Sequence, residues 1–246
     1  MCRVASKSTI CAAAILAAGV SHNAAAESQD HVGLYARVGV GGIAAGDLDQ
    51  SITHDPRVAS IVTPPNEQTT SFSAGPSASF ALGFMYEAGT RTELEYRYAD
   101  LSVDEVLRFG GFDPVEGELG PTPIAPGDDA SAHFLISNIY YDVAEIGGVT
   151  AYIAAGVGGG FFKDAFGARD AALAYQGKAG LSTRLADKFY VDVEYIYTRT
   201  GELAFGSDAL KNPEDLPSGE PGTLPPLFDG DEFQSSSVFV ALRAPF

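Results

Sequence analysis

The 246-residue chain has no tryptophan, and its two cysteines, Cys2 and Cys11, fall at the very start. Beyond Cys11 there is no thiol, which removes disulfides, thiolate metal sites and cysteine nucleophiles together. Basic residues are also scarce: 15 Lys and Arg face 32 Asp and Glu, a formal charge of -17. Such a balance repels a phosphate backbone and argues against nucleic acid as a partner. Outside the N-terminus no apolar run approaches the roughly 18 residues of a membrane-spanning helix. Yet 46% of the residues are hydrophobic and the mean hydropathy is only +0.05, so apolar and polar residues must be finely interleaved. With 28 Gly, 11 Tyr and 15 Phe, the composition suits turns and strands better than helices.

The N-terminus reads as a secretory signal. Arg3 and Lys7 supply the positive start, Ile10 to Val20 a short apolar stretch, and Ala24-Ala25-Ala26 a small-residue cleavage site. This predicts a cleaved signal peptide over 1–26 and a mature domain over 27–246. Residues 10–20 are too few to anchor the chain across a bilayer comfortably.

From there on the sequence alternates with a period of two. Phe189, Val191, Val193, Tyr195 and Tyr197 share one face while Asp192, Glu194 and Thr198 share the other; Thr92, Leu94, Tyr96 and Tyr98 likewise oppose Glu93, Glu95 and Arg97. About eight such segments can be marked, at 33–43, 71–86, 91–101, 131–143, 149–161, 170–184, 189–200 and 232–246. Alternation alone fits a soluble sandwich as well as a membrane barrel, but the connections discriminate. Glu87 to Thr90, Ala144 to Gly148 and Leu185 to Lys188 are tight turns, whereas 44–70, 102–130 and 201–231 are long. Short turns at one end and long loops at the other describe an all-β, eight-stranded antiparallel up-and-down transmembrane barrel, long loops outside the cell.

The long loops hold most of the prolines, among them Pro64-Pro65, Pro121, Pro123, Pro126 and Pro225-Pro226, and acidic pairs at Asp128-Asp129, Glu214-Asp215 and Asp231-Glu232. They are expected to form a solvated, mobile surface. Carboxylate clusters also suit hard divalent cations or bridging to lipopolysaccharide, although no loop has the spacing of a calcium hand.

The last segment places Val238, Val240, Leu242, Ala244 and Phe246 on one face and stops on the aromatic. It is similar to the terminal signal by which barrel assembly machinery recognises its substrates. Pro245 lacks a backbone donor, so the end of this strand is expected to fray. Asn138-Ile139-Tyr140-Tyr141-Asp142, Tyr152 to Gly158 and above all Ala174-Tyr175-Gln176-Gly177-Lys178-Ala179-Gly180 resemble the eight-stranded outer-membrane barrels of the OmpA-like and opacity type, and more specifically the alphaproteobacterial surface antigen family. The resemblance is motif-specific from about residue 130 to 200. It implies a surface-exposed barrel in the outer membrane, embedded in lipid, acting as antigen, adhesin or narrow pore, with a host or environmental ligand at its outer loops.

With the apolar face turned to lipid, Arg37, Arg97, Lys178, Arg184 and Arg243 point inward together with Glu93, Glu95, Asp142, Asp192 and Glu194. Eight strands leave room only for packed side chains, so these charges should neutralise one another as a plug; a gated, charge-selective porin-type path is the alternative. Gly156 and Gly158 to Gly160 lack the Lys-Ser/Thr ending of a phosphate loop and are expected to make room for bulky lumen side chains. An outer-membrane lipid hydrolase would need a nucleophile and a base. Beyond the signal segment only His31, His54 and His133 are available, and Ser131 with His133 is the one plausible pair. A rim histidine without chemistry is the simpler reading, and the expectation is a non-enzymatic protein with no cofactor or metal.

Overall fold

The computed structural model describes residues 32–57, 63–186, 188–207, 210–211 and 224–246. The proposed signal peptide with both cysteines, His31 and the Glu214-Asp215 pair lie outside the described residues.

Eight long strands form the wall: β1 (Gly33–Ala45), β4 (Gly75–Met85), β5 (Thr90–Leu101), β10 (Ala130–Ile146), β11 (Val149–Lys163), β12 (Arg169–Ala186), β13 (Phe189–Phe205) and β14 (Leu227–Pro245). Each pairs antiparallel with its neighbour in that order, and β14 returns to β1, from Tyr35 opposite Pro245 to Ala45 opposite Ser235. Closure leaves neither a free edge nor an unpaired ladder, the condition for β-structure in hydrocarbon. The end of β14 does not fray: Pro245 stays in register and the Phe246 amide donates to the Leu34 carbonyl at 3.0 Å. Proline costs no bond there because its missing N–H would face β13, whose pairing with β14 ends at Arg243.

The short connections behave as turn chemistry requires. Gly147 and Gly148, with φ of +60° and +79°, make the two-residue link between β10 and β11, a backbone that twists with the strands and that side-chain-bearing residues adopt rarely. A single 3-10 turn at Glu87–Gly89 joins β4 to β5.

The long loops differ from expectation. Much of the first two is ordered sheet: β2 (Leu48–Thr53), β3 (Glu67–Phe72), β6 (Val103–Phe109), β9 (Thr122–Pro123) and the small hairpin of β7 (Phe112–Asp113) and β8 (Gly117–Glu118). The order β14-β2-β3-β6-β9 continues the wall outward beyond breaks at Gly46-Asp47, Ser73-Ala74 and Ser102. In β2 burial still alternates, but one inward residue is Gln50, and in β3 the inward pair is Gln68 and Thr70. A polar interior erases the hydrophobic alternation while keeping the geometric one.

Leu34, Val38, Val40, Leu82, Leu94, Ile139, Ile153, Leu173, Val193, Val238, Val240 and Leu242 all lie exposed on the outer wall. So continuous an apolar belt is a lipid-facing surface. The interior has two zones. Toward the long-loop end it holds an apolar cluster that includes Ile43, Leu101, Phe134, Ile136, Phe162, Leu203, Phe205 and Phe233. Toward the short-turn end it is charged.

Large lumen side chains are accommodated opposite glycine. Tyr152 lies across from Gly180, and a Cβ built on Gly180 would come within 2.5 Å of the tyrosine ring. Gly177, on the outward face of the same strand, has nothing within 4 Å of that position. Gly180→Leu is therefore expected to displace Tyr152 and destabilise the barrel by about 1–3 kcal/mol, whereas Gly177→Ala leaves stability unchanged. The midpoints of thermal unfolding, followed by heat-modifiable gel migration of the refolded protein, check this pair.

Candidate functional site: the charged lumen

The strands with inward-facing ionisable residues meet in the short-turn half of the barrel. β5 supplies Arg91, Glu93, Glu95 and Arg97 at every second position, β13 supplies Asp192 and Glu194, and β1, β12 and β14 supply Arg37, Lys178 and Arg243; all nine are buried. Asp142 of β10 is nearly so, with 7% of its side chain exposed. In a space this narrow no charge can keep its hydration shell, and most find a counterpart on another strand.

The pairing takes the form of a chain of alternating sign. Lys178 Nζ donates to Glu95 Oε2 at 2.5 Å and faces Glu194 Oε1 at 3.4 Å. Glu194 also pairs with the Arg37 guanidinium, Arg37 Nε lies 3.4 Å from Asp192 Oδ2, and Asp192 pairs with Arg243 at 3.3 Å. The sequence Glu95, Lys178, Glu194, Arg37, Asp192, Arg243 thus crosses the lumen with each of its four inner charges between opposites. Glu93 branches from Arg37 at 3.9 Å.

Neutral groups add further donors to these carboxylates. Tyr35 and Tyr140 donate to the two oxygens of Glu93 at 2.9 and 2.6 Å, Tyr152 donates to Glu194 at 3.1 Å, and Asn138 and Gln176 donate to Glu95 at 3.0 and 3.1 Å. Gly156 makes space for this last group, since its Cβ would overlap the Asn138 amide. Here and at Gly160, which lies against Phe162 and Phe134, glycine admits bulky lumen side chains.

Two residues fall differently from the sequence reading. Arg184 is exposed at the short-turn end, beside the register shift that ends the pairing of β12, where its guanidinium donates to the Tyr190 hydroxyl at 3.1 Å. It belongs to the mouth rather than to the buried chain. Arg91 takes its place inside, lying over the rings of Tyr140 and Tyr152 at 4.8 and 4.5 Å and facing Asp142 at 3.7 Å. Arg91 shares parity with Glu93, Glu95 and Arg97; the signal was present, but the residue sits where the strand leaves its turn.

Arg97 is the odd member. It enters no ion pair among the described residues; Nη2 donates to Thr198 Oγ1 at 2.6 Å and the guanidinium covers the Phe134 ring at 4.7 Å. It stands where the charged zone gives way to the apolar one. Above it the interior is filled: the cavity lined by Leu48, Phe72, Leu101, Phe162, Phe205 and Phe233 measures about 20 Å³, room for roughly one water molecule.

Ser131 and His133 do not face this interior. Both lie on the outward side of β10, with His133 Nδ1 2.7 Å from the Tyr96 hydroxyl and its ring 5.1 Å from that of Tyr98. His54 is occupied by the Pro65 carbonyl at 2.7 Å. Among the described residues no three His, Cys, Asp or Glu side chains converge as a metal site.

Because Lys178 neutralises two carboxylates, Lys178→Met should destabilise the barrel by about 3–5 kcal/mol. Adding Glu95→Gln should recover much of that loss, since one carboxylate then no longer needs a cation. Denaturant unfolding of the single and double variants in detergent measures both steps.

Residues 125–200 match the profile of the surface antigen family, a stretch that includes β10, β11, β12 and most of β13. No curated protein matches the chain in sequence. Among solved structures the outer membrane protein OprG from Pseudomonas aeruginosa is similar at 12% identity and a TM-score of 0.54, over 87% of this chain and 97% of that one. Neisserial surface protein A aligns over the same shares at 12% identity and 0.49, and the outer membrane protease OmpT of Escherichia coli at 8% and 0.44. Closed wall, lipid-facing belt, family match and the fold shared with OprG lead to one conclusion: the chain is an eight-stranded β-barrel of the bacterial outer membrane, similar over residues 125–200 to the surface antigen family.

Proposed function

We propose that this protein is a non-enzymatic surface protein: exported through the cleaved signal 1–26, folded over 27–246 as a closed structural barrel, and presenting its acidic outer sheet to a host or environmental ligand, as an antigen or adhesin does. The observation that carries this reading is the alternating chain from Glu95 to Arg243 beneath a filled apolar zone. Charges matched in alternation serve closure and stability, and the apolar zone beyond them encloses a cavity of about 20 Å³. The unbalanced charge lies outside instead: Asp47, Glu202 and Asp231 line one open groove of the outer sheet. A catalytic reading finds little support, because Ser131 and His133 are aimed at the membrane boundary and His133 is held by tyrosines.

A narrow porin-type channel is the second reading, favoured by one observation. Arg37 Nη1, Arg91 Nε and Nη1, and Arg97 Nε and Nη1 are buried donors without a hydrogen-bond partner among the described residues, so the network retains some capacity to re-partner. Single-channel recording in a planar bilayer separates the two. The refolded wild type is expected to give no steady conductance; regular open steps, with a selectivity altered by Lys178→Met, would establish the channel instead.

Assembly is proposed to depend on the outward row Val238, Val240, Leu242 and Phe246, read by the barrel assembly machinery. Phe246 is 76% exposed, which leaves its ring available to a partner. Deleting Phe246 is expected to lower the amount of barrel recovered in outer membranes while export to the periplasm continues, as quantified by cell fractionation.

A further inference from the structure

On the outer wall, at the long-loop end, β10, β11 and β12 place Ser131, Lys163 and Arg169 side by side: Ser131 is opposite Lys163, and Lys163 is opposite Arg169. Two cations at directly opposed positions of an antiparallel pair repel each other and weaken the sheet. In a chain of formal charge -17 the arrangement is conspicuous. Lys163 has a partial answer in Asp128, whose carboxylate accepts from Nζ at 2.8 Å and is held below its ordinary pKa by that contact. Asp128 is itself a solvated loop residue, its side chain 68% exposed. Arg169 is exposed and enters no ion pair among the described residues. The nearest lining acid, Asp170, is committed elsewhere, since it accepts from the Ala204 amide at 2.6 Å.

These residues edge an open groove of about 550 Å³ that also takes in His133, Phe161 and Ala171. Its chemistry is stratified along the membrane normal. The rim carries Lys163, Arg169 and the Ser131 hydroxyl. One residue pair further toward the bilayer, His133 is opposite Phe161 and Phe161 opposite Ala171, and the His133 ring sits with Nδ1 2.7 Å from the Tyr96 hydroxyl. Below these lie the exposed side chains of Leu135 and Leu173. Cation and hydroxyl donors over an aromatic step over an aliphatic wall match a molecule with a phosphate head, a compact sugar or glycerol region and acyl chains.

We propose that this groove binds the phosphorylated glycolipid of the outer leaflet, lipid A, with one phosphate between Lys163 and Arg169, where it relieves their repulsion, and the acyl chains along Phe161, Leu135 and Leu173. The inference rests on the outer-membrane location and is independent of whether the lumen conducts. A phosphate dianion satisfies both cations at once, which the single charge of Asp128 cannot do, and guanidinium with ammonium is a usual donor set for it.

The test uses the refolded barrel in phosphatidylcholine liposomes, alone, with lipid A, with phosphatidylglycerol at the same total charge, and with inorganic phosphate in solution. Lipid A is expected to raise the thermal midpoint of the wild type by about 4 °C or more. Phosphatidylglycerol and inorganic phosphate are expected to do much less. Lys163→Gln with Arg169→Gln should abolish the lipid A shift while leaving the midpoint in pure phosphatidylcholine near that of the wild type, since both side chains project from the outer surface. Arg199→Gln removes another outward arginine, one already paired with Glu232, and should keep the shift. Should the double variant fold poorly, Arg169→Gln alone with native mass spectrometry of retained lipid A gives the same reading. Absence of a shift in the wild type, its persistence in the double variant, or an equal shift with phosphatidylglycerol would overturn the proposal. Failure to insert into phosphatidylcholine at all would instead count against the membrane-barrel reading.

Discussion

Closure of eight strands into a ring is the constraint on which everything else in this molecule depends. In hydrocarbon every backbone amide and carbonyl needs a partner, and the pairing of β14 with β1 supplies the last of them. Closing with only eight strands fixes a small circumference, so the interior has to be filled by side chains. The charged lumen follows from that. Residues turned away from lipid can be polar, but in so small a volume they can be ionised only when each is surrounded by opposite charge. The run from Glu95 to Arg243 meets this condition across four strands, β5, β12, β13 and β1, and ends on β14. Tyrosines supply the additional donors, and glycines opposite them supply the volume.

The interior is graded along its axis. Carboxylates and guanidinium groups fill the short-turn half, phenylalanine and leucine fill the long-loop half, and Gln50 bonded to Gln68, which in turn accepts from Arg108, lies above the apolar zone. From the long-loop end inward, apolar packing thus comes first and a matched set of charges follows. This division explains why an intensely acidic protein has a balanced interior. The surplus negative charge is carried by the outer sheet, where water and counterions screen it at little cost. The described residues of the outer sheet thus form an acidic rim on a closed wall, interrupted near the membrane boundary by Lys163 and Arg169.

The local pattern of the chain carried the wall. Strict alternation in 91–101 and 189–200, the Gly147-Gly148 turn and the terminal row from Val238 to Phe246 located strands, faces and connections because lipid imposes a sharp difference between the two sides of each strand. Nine of the ten inward charges marked by that alternation do turn into the lumen. Where one face no longer meets lipid, the signal faded. The outer sheet of β2, β3 and β6 places Gln50, Gln68 and Thr70 inward, so its strands read as polar loops. Arg184 and Arg91 show the same limit at strand ends: parity assigns a face, but a side chain at the last rung can leave the lumen, and one at the first can enter it.

Which charges meet was a matter of tertiary structure alone. Alternation places Lys178 and Arg97 on the same inner surface with the same standing, yet Lys178 lies between two carboxylates while Arg97 rests on Phe134 and a threonine hydroxyl. Likewise Lys163 and Arg169 flank a loop in sequence, and only the register of β11 on β12 sets them directly opposite. The sequence by itself determined the strands, the lipid-facing side and the need for an interior of balanced charge, since these depend on residues one or two positions apart. Partners, their distances and the order of the chain of charges were decided by strand register and by closure, which bring together ion-paired residues separated by as many as 157 positions, such as Arg37 and Glu194. Coulomb energy depends on separation in space, and that separation exists only once the ring is shut.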